Sequence, residues 1–318
     1  MPYSTGFTRQ EYEKVAKYLN DEEFGKKLNN HISTVPYDGR PRETFTGSGY
    51  FKDDYGVVWN RHGVDKDIGV IEGYVLKDPS LDGYEMPTPD EKELGAKIRE
   101  LIRADRDNFK LFDFGFTVFE RAWSLRGMEN ILVDMIEEPD FVDRLLDEIV
   151  AYNMKMVEIA MAYGIDGVMF GDDWGQQSGL IMGPGLWRRF IKPRMAKMYA
   201  CVKNKGAFVF QHSCGDIREI FPDLIEIGLD VYQTFQPEIY DLRSIKQQYG
   251  GKLSFWGGIS TQKLLPFASP EEVKRVTEET LEILGKNGGY IAGPTHDLPG
   301  DVPPENVIAM TEVFKNQH

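Results

Sequence analysis

Cysteine is nearly missing from this chain, which has two in 318 residues. Two cysteines cannot form a disulfide framework, so a reducing compartment, the cytoplasm, is expected. Basic clusters are missing as well. Lys and Arg number 37 against 51 Asp and Glu, a net charge of −14. That balance repels phosphate backbones and anionic lipid at long range, so neither nucleic acid nor a membrane surface is an expected partner. No apolar run approaches the roughly 20 residues that cross a bilayer. The opening stretch, MPYSTGFTRQEYEKVAKYL, lacks the apolar centre of a signal peptide. No Gly-rich phosphate loop follows a first strand, which weakens a dinucleotide-binding reading. Internal repeats and low-complexity segments are absent too. Histidine is scarce, five in all, which makes the position of each one informative.

What is present is a regular alternation. From Asp90 onward, short apolar runs are each followed by a segment of period near 3.6. The runs lie within LFDFGFTVF, IDGVMFGDDWG, AFVFQHSCG, LDVYQTFQ, KLSFWGGIS and GYIAGPTH. Strands buried on both faces of a parallel sheet have this pattern. A helical region is expected from about Glu120 to Tyr163, broken near Gly127 and Pro139. Six strand-helix units are visible, and two more from the irregular N-terminal part would close an eight-stranded barrel. The expected fold is therefore α/β, a (β/α)8 TIM-type barrel with an irregular N-terminal extension. It forms one domain over 1–318, with N-terminal helices and an arm in 1–90 and the strand-helix units in 91–318. TRQEYEKVAKYL and EFGKKLNNHI both look helical. The stretch rich in Gly, Pro, Asp and Tyr from Tyr37 to Pro89 contains GYFKDDYGVVWN, a hairpin or an extended arm.

In such a barrel the active site lies at the carboxyl ends of the strands. Those ends are polar here: Asp172, Asp173 and Trp174; Gln211, His212 and Cys214; Gln233 and Gln236; Trp256 before a Gly-Gly turn; Thr295, His296 and Asp297. His212 and Cys214 are two residues apart, which puts both side chains on one face of an extended strand. An imidazole and a thiolate so placed suit zinc, and His296 at the end of the last strand is the candidate third ligand. Each feature has a plainer reading. A lone His or Cys is commonly a packed residue, Asp172 or Asp173 can cap a helix, and Trp59, Trp174 and Trp256 can belong to the core.

The combination GDDWGQQSGLIMGPGLWRRFIKPR, FQHSCGDIREIFPDLIEIGLDVYQTFQP, LSFWGGIST and GYIAGPTHDLPGDVPPENV resembles the uroporphyrinogen decarboxylase superfamily, and its methyltransferase branch more than the decarboxylase. That branch contains zinc-dependent, corrinoid-linked methyltransferases, among them O-demethylase methyltransferase I components and methylcobamide:coenzyme M methyltransferases. The resemblance implies zinc held by a His-x-Cys pair, matching His212 and Cys214. The third ligand, commonly Cys, falls at His296 when placed from the following PPEN. The Arg-rich RQAGR stretch of the decarboxylase has no counterpart here.

The expected function is a methyltransferase moving a methyl group between a small methylated substrate, an O-methyl compound by preference, and a corrinoid cofactor (cobalamin) on a partner protein. Asp172 and Asp173 are the candidate catalytic residues. Trp59, Trp174, Tyr232, Gln233, Gln236 and Trp256 are candidates to contact substrate. The alternatives are a metal-free lyase of the decarboxylase type and a non-catalytic binding protein on the same barrel. A homo-oligomer is compatible with the sequence. The arm, which carries Tyr55, Trp59 and His62, either closes over the barrel mouth or plugs its amino end.

Overall fold

The computed structural model describes residues 1–37, 49–62 and 69–317. Seven parallel strands form one curved sheet, neighbouring one another in chain order: Ile32–Tyr37, Phe109–Phe114, Gly167–Gly171, Phe208–His212, Val231–Thr234, Ser254–Ile259 and Tyr290–Pro294. The six expected strand-helix units are all there. The N-terminal part supplies the first strand, and residues 2–7 take up the eighth place. On one side Ser4 N–H donates to the Ala292 carbonyl (3.0 Å) and Ala292 N–H to Pro2 (2.9 Å). On the other, His31 N–H donates to the Tyr3 carbonyl, and the Asn30 amide bonds both backbone groups of Thr5.

Those bonds explain one difference from the expectation. EFGKKLNNHI is not a helix but a short 3-10 turn, Phe24–Lys27, followed by extended chain. Asn29 has a left-handed backbone (φ 59°), and Asn30 serves the N-terminal segment rather than a helix. Elsewhere the breaks fall where expected, giving helices Phe119–Arg126, Met128–Glu137 and Pro139–Ala162. Thr8, Asp90, Asp241 and Ser269 accept side-chain bonds from the first turn of the helices they precede, so four helix starts carry their own caps.

Period-2 alternation sorts the strands into two layers. Ile32, Leu111, Met169, Phe210, Val231 and Trp256 fill the inside of the barrel. Intervening residues such as Phe112, Phe170, Val209, Tyr232 and Phe255 pack outward against the helices.

The arm is a hairpin, Tyr50–Lys52 against Val58–Asn60, extended by Val70–Gly73. It sits beyond the carboxyl end of the second strand, not at the amino end of the barrel. Trp59 stacks on Phe51 (6.2 Å) and meets the edge of Phe116 (5.5 Å). Its indole N–H donates to Asp53, which also pairs with Arg121 of the helix Phe119–Arg126. Trp59 is only 1% exposed. Trp59→Ala is therefore expected to weaken the arm by about 3–5 kcal/mol, read as faster amide exchange in residues 49–60, with the metal content of the protein unchanged. Unchanged exchange would show that the indole does not hold the arm.

Candidate metal centre

The fourth strand ends at His212, and Cys214 lies just beyond it. Neighbouring elements hold the turn that follows. Ser213 N–H donates to the Gln233 carbonyl and Cys214 N–H to the Asp173 carboxylate (2.7 Å). Gly215 N–H donates to the Gln236 side chain (3.0 Å). Tyr232 and Tyr240 hydroxyls donate to the Ser213 and Gly215 carbonyls. Gly215 itself has φ +76°, and a Cβ there would lie 2.3 Å from the Gly175 backbone, so only glycine lets this turn close.

Held this way, Cys214 meets two imidazoles. One ligand atom from each of His212, Cys214 and His296 lies within 4.8 Å of the others. His212 Nε2 is 3.7 Å from Cys214 Sγ and 3.6 Å from the Asp173 carboxylate. The His212 and His296 rings meet edge to face at 5.3 Å. His212 Nδ1 is bonded to the Gln233 side-chain oxygen. That oxygen can only accept, so Nδ1 carries the proton and Nε2 presents its lone pair to the cluster.

Burial pulls the His212 pKa down, and the ring is neutral as a ligand must be. The Cys214 thiol is pushed up, first by burial and then by the charges of Asp173 and Glu120. Without a cation this thiol stays protonated, and a divalent ion at the cluster reverses that preference. One sulfur and two nitrogens, one of them oriented by an outer partner, suit zinc with an open position.

The cluster borders a cavity of about 500 Å³ inside the carboxyl end of the barrel. His212, His296, Gln233, Trp256, Phe116 and Met169 line it, with four carboxylates: Asp113, Glu120, Asp173 and Asp297.

Residues 64–317 match the family described as uroporphyrinogen decarboxylase (URO-D). The chain belongs to that family. A methylated-thiol–coenzyme M methyltransferase of Methanosarcina mazei is 26% identical over 241 residues, which is 71% of this chain and 60% of that protein. A uroporphyrinogen decarboxylase of Methylococcus capsulatus is 24% identical over 199 residues, 62% of this chain and 54% of that one. The chain thus spans little more than half the length of these curated relatives. Among solved structures, a methyltransferase from Methanosarcina mazei superposes with a TM-score of 0.75 at 16% identity, covering 99% of this chain and 93% of that one, so the barrel is shared. Among the described residues, no helix of this URO-D barrel is long and apolar enough to cross a membrane.

Alternation within the barrel separates the remaining candidates. Asp173 faces the cavity, whereas Asp172 points outward and is 0% exposed. The Asp172 carboxylate accepts from Phe119 N–H (3.0 Å), Glu120 N–H (2.8 Å) and the Trp174 indole (2.7 Å). It caps a helix, as its plainer reading had it, but the helix is the one that precedes it. Burial raises its pKa to about 6. Trp174 packs edge-on against Trp187 (5.4 Å), and Tyr232 packs against Phe221 (5.0 Å) on the helix side. Neither lines the cavity. Gln236 supports the Gly215 backbone, and Trp59 is separated from the cavity by Phe116. Gln233 and Trp256 do line it.

Glu120, Phe116 and Asp113 were not expected. They follow or end the second strand, Phe109–Phe114, whose carboxyl end carries the same polar signal as the others. Phe116 adopts φ +53°, a sparsely populated backbone for a bulky residue, at the edge of the cavity.

Proposed function

We propose that this protein is a zinc-dependent methyltransferase that moves a methyl group between a small methylated substrate and a corrinoid carried on a partner protein. The observation that carries the reading is the His212–Cys214–His296 cluster at the wall of a cavity placed where such barrels do their chemistry. The methylated-thiol methyltransferase among the relatives supports methyl transfer as the reaction class. His212, Cys214 and His296 would hold the ion, which when bound supplies a Lewis acid beside the substrate heteroatom.

The chain's own residues do the rest. Asp173 fixes the Cys214 backbone, and Gln233 fixes the His212 tautomer. Trp256 and Phe116 give the cavity apolar surface on which a flat methylated compound can lie. Asp172 acts at one remove, by anchoring the helix that carries Glu120. An O-methyl substrate is the first reading, and a thiol is the second, favoured by the name of that same relative. Metal-free decarboxylation of a polycarboxylate is disfavoured, because four carboxylates line the cavity and repel such a substrate.

Two measurements test the proposal: metal analysis of the purified protein, and a screen of methyl ethers and methyl thioethers with reduced cobalamin. About one zinc per chain and a methylated cobalamin product are expected. A metal-free protein active on carboxylic acids would overturn it. His296→Cys should keep zinc, since a thiolate replaces an imidazole as donor, and His296→Ala should lose affinity by more than the roughly 10–100-fold that removing an outer partner costs. If both variants bind zinc as wild type does, His296 is not a ligand and Asp173, already 3.6 Å from His212, is the next candidate.

A further inference from the structure

Resting on the methyl-transfer reading, we infer that Glu120 is the proton donor to the leaving oxygen, and that the substrate is accordingly a methyl ether with a basic leaving group. Glu120 is the second residue of the helix Phe119–Arg126 and lines the cavity. A carboxylate at a helix start is usually welcomed by the free amides there. At this helix Asp172 has already taken the Phe119 and Glu120 amides. The Glu120 carboxyl is left with one backbone donor, the Asp173 N–H, and two carboxylate neighbours, Asp172 and Asp173.

The groups facing it are Asp172 and Asp173 from the end of the third strand, Arg121 from its own helix and the Cys214 thiol from beyond the fourth strand. Arg121 is the single cation in that set, and it is engaged by Asp53 at 2.8 Å. Burial, then the charge of Asp173 and of Asp172, holds the Glu120 carboxyl well above its ordinary value. A carboxylic acid kept neutral in a cavity is placed to give a proton there.

The step balances as follows. The O–CH3 bond breaks with its electron pair left on oxygen. The methyl group is taken up by the electron pair of the reduced corrinoid acceptor. The Glu120 O–H proton passes to the oxygen, releasing an alcohol or phenol. Glu120 is left as carboxylate and regains its proton from solvent. The less acidic the departing alcohol, the more the proton is needed.

The test compares wild type with Glu120→Gln, which keeps size and hydrogen bonding but has no acidic proton. Zinc content and thermal midpoint serve as controls and should not change. In an infrared difference spectrum of the two proteins near neutral pH, the carbonyl band of a protonated carboxylic acid should be present in wild type and absent from the variant, with or without metal. In methyl transfer from a series of substituted anisoles to reduced cobalamin, kcat for the variant should fall about 10²–10⁴-fold for the least acidic phenols and little for nitrophenols. Wild type should lose rate on the alkaline side, and the variant should lack that limb. A loss uniform across the series, or no carboxylic band, overturns the role of Glu120 and leaves methyl transfer standing. A wild type inert toward every methyl ether and thioether overturns both.

Discussion

Cys214→Ala protein is expected to emerge from purification almost free of zinc and without methyl-transfer activity, folded like metal-free wild type. Cys214 contributes the one thiolate of the cluster, and a thiolate is the strongest zinc donor among these side chains. Deleting it leaves two imidazoles, one of them exposed, and two ligands do not retain an ion through dialysis. The turn that carries Cys214 is held by backbone bonds to Asp173, Gln233, Gln236, Tyr232 and Tyr240. None of them needs the thiol, so the turn survives the change. Elemental analysis with circular dichroism reads both halves of the expectation. Wild-type zinc content in the variant would remove Cys214 from the ligand set.

A second large effect is expected at Asp53, far from the cluster. Asp53→Ala removes at one stroke the carboxylate beside the Arg121 guanidinium (2.8 Å), the Trp59 indole (3.1 Å) and the Val57 amide (2.8 Å). Arg121 and Asp53 are 1% and 0% exposed at the side chain. Breaking a buried pair from one side costs about 3–5 kcal/mol, because a charge is left in the interior. Arg121 lies against the Tyr55 ring (4.1 Å) and cannot move into water without taking the hairpin with it. The loss should appear as a thermal midpoint several degrees lower and as rapid amide exchange in residues 49–60. The double variant Asp53→Leu with Arg121→Met should recover much of the loss, since an apolar pair of similar volume replaces a buried ion pair at little cost. An unaltered midpoint in Asp53→Ala would mean the pair contributes nothing.

Much of this architecture was readable from residue pattern. Apolar runs followed by helical periods marked six strands, and Gly127 and Pro139 marked the helix breaks. The H-x-C spacing and His296 anticipated the cluster. The part that was not readable separates cleanly. The alternation that put His212 and Cys214 on one face was not carried to their neighbours. It would have turned Asp172, Trp174 and Tyr232 toward the helices and left Asp173 and Gln233 facing the cavity. Glu120 was missed because attention went to strand ends, and it belongs to a helix whose start is bent into the cavity by a capping carboxylate distant in sequence. No local pattern announces that bond. The turn at Phe24–Lys27 escaped for the same kind of reason, since helical periodicity there lost to long-range bonds between Asn30 and Thr5.

Closure of the wall by residues 2–7 ties the start of the chain to the strand Tyr290–Pro294, almost the whole sequence later. During synthesis at about 5–20 residues per second, the first residues wait on the order of 15–60 s before that strand leaves the ribosome. Throughout that interval the nascent sheet has an open edge at Ile32–Tyr37, with unpaired backbone groups beside the apolar side chains Ile32 and Val35. Such an edge pairs with whatever strand is at hand. Productive folding of this barrel is therefore post-translational at its last step, and the growing chain needs a holdase, or low crowding by its own copies, until its two ends meet.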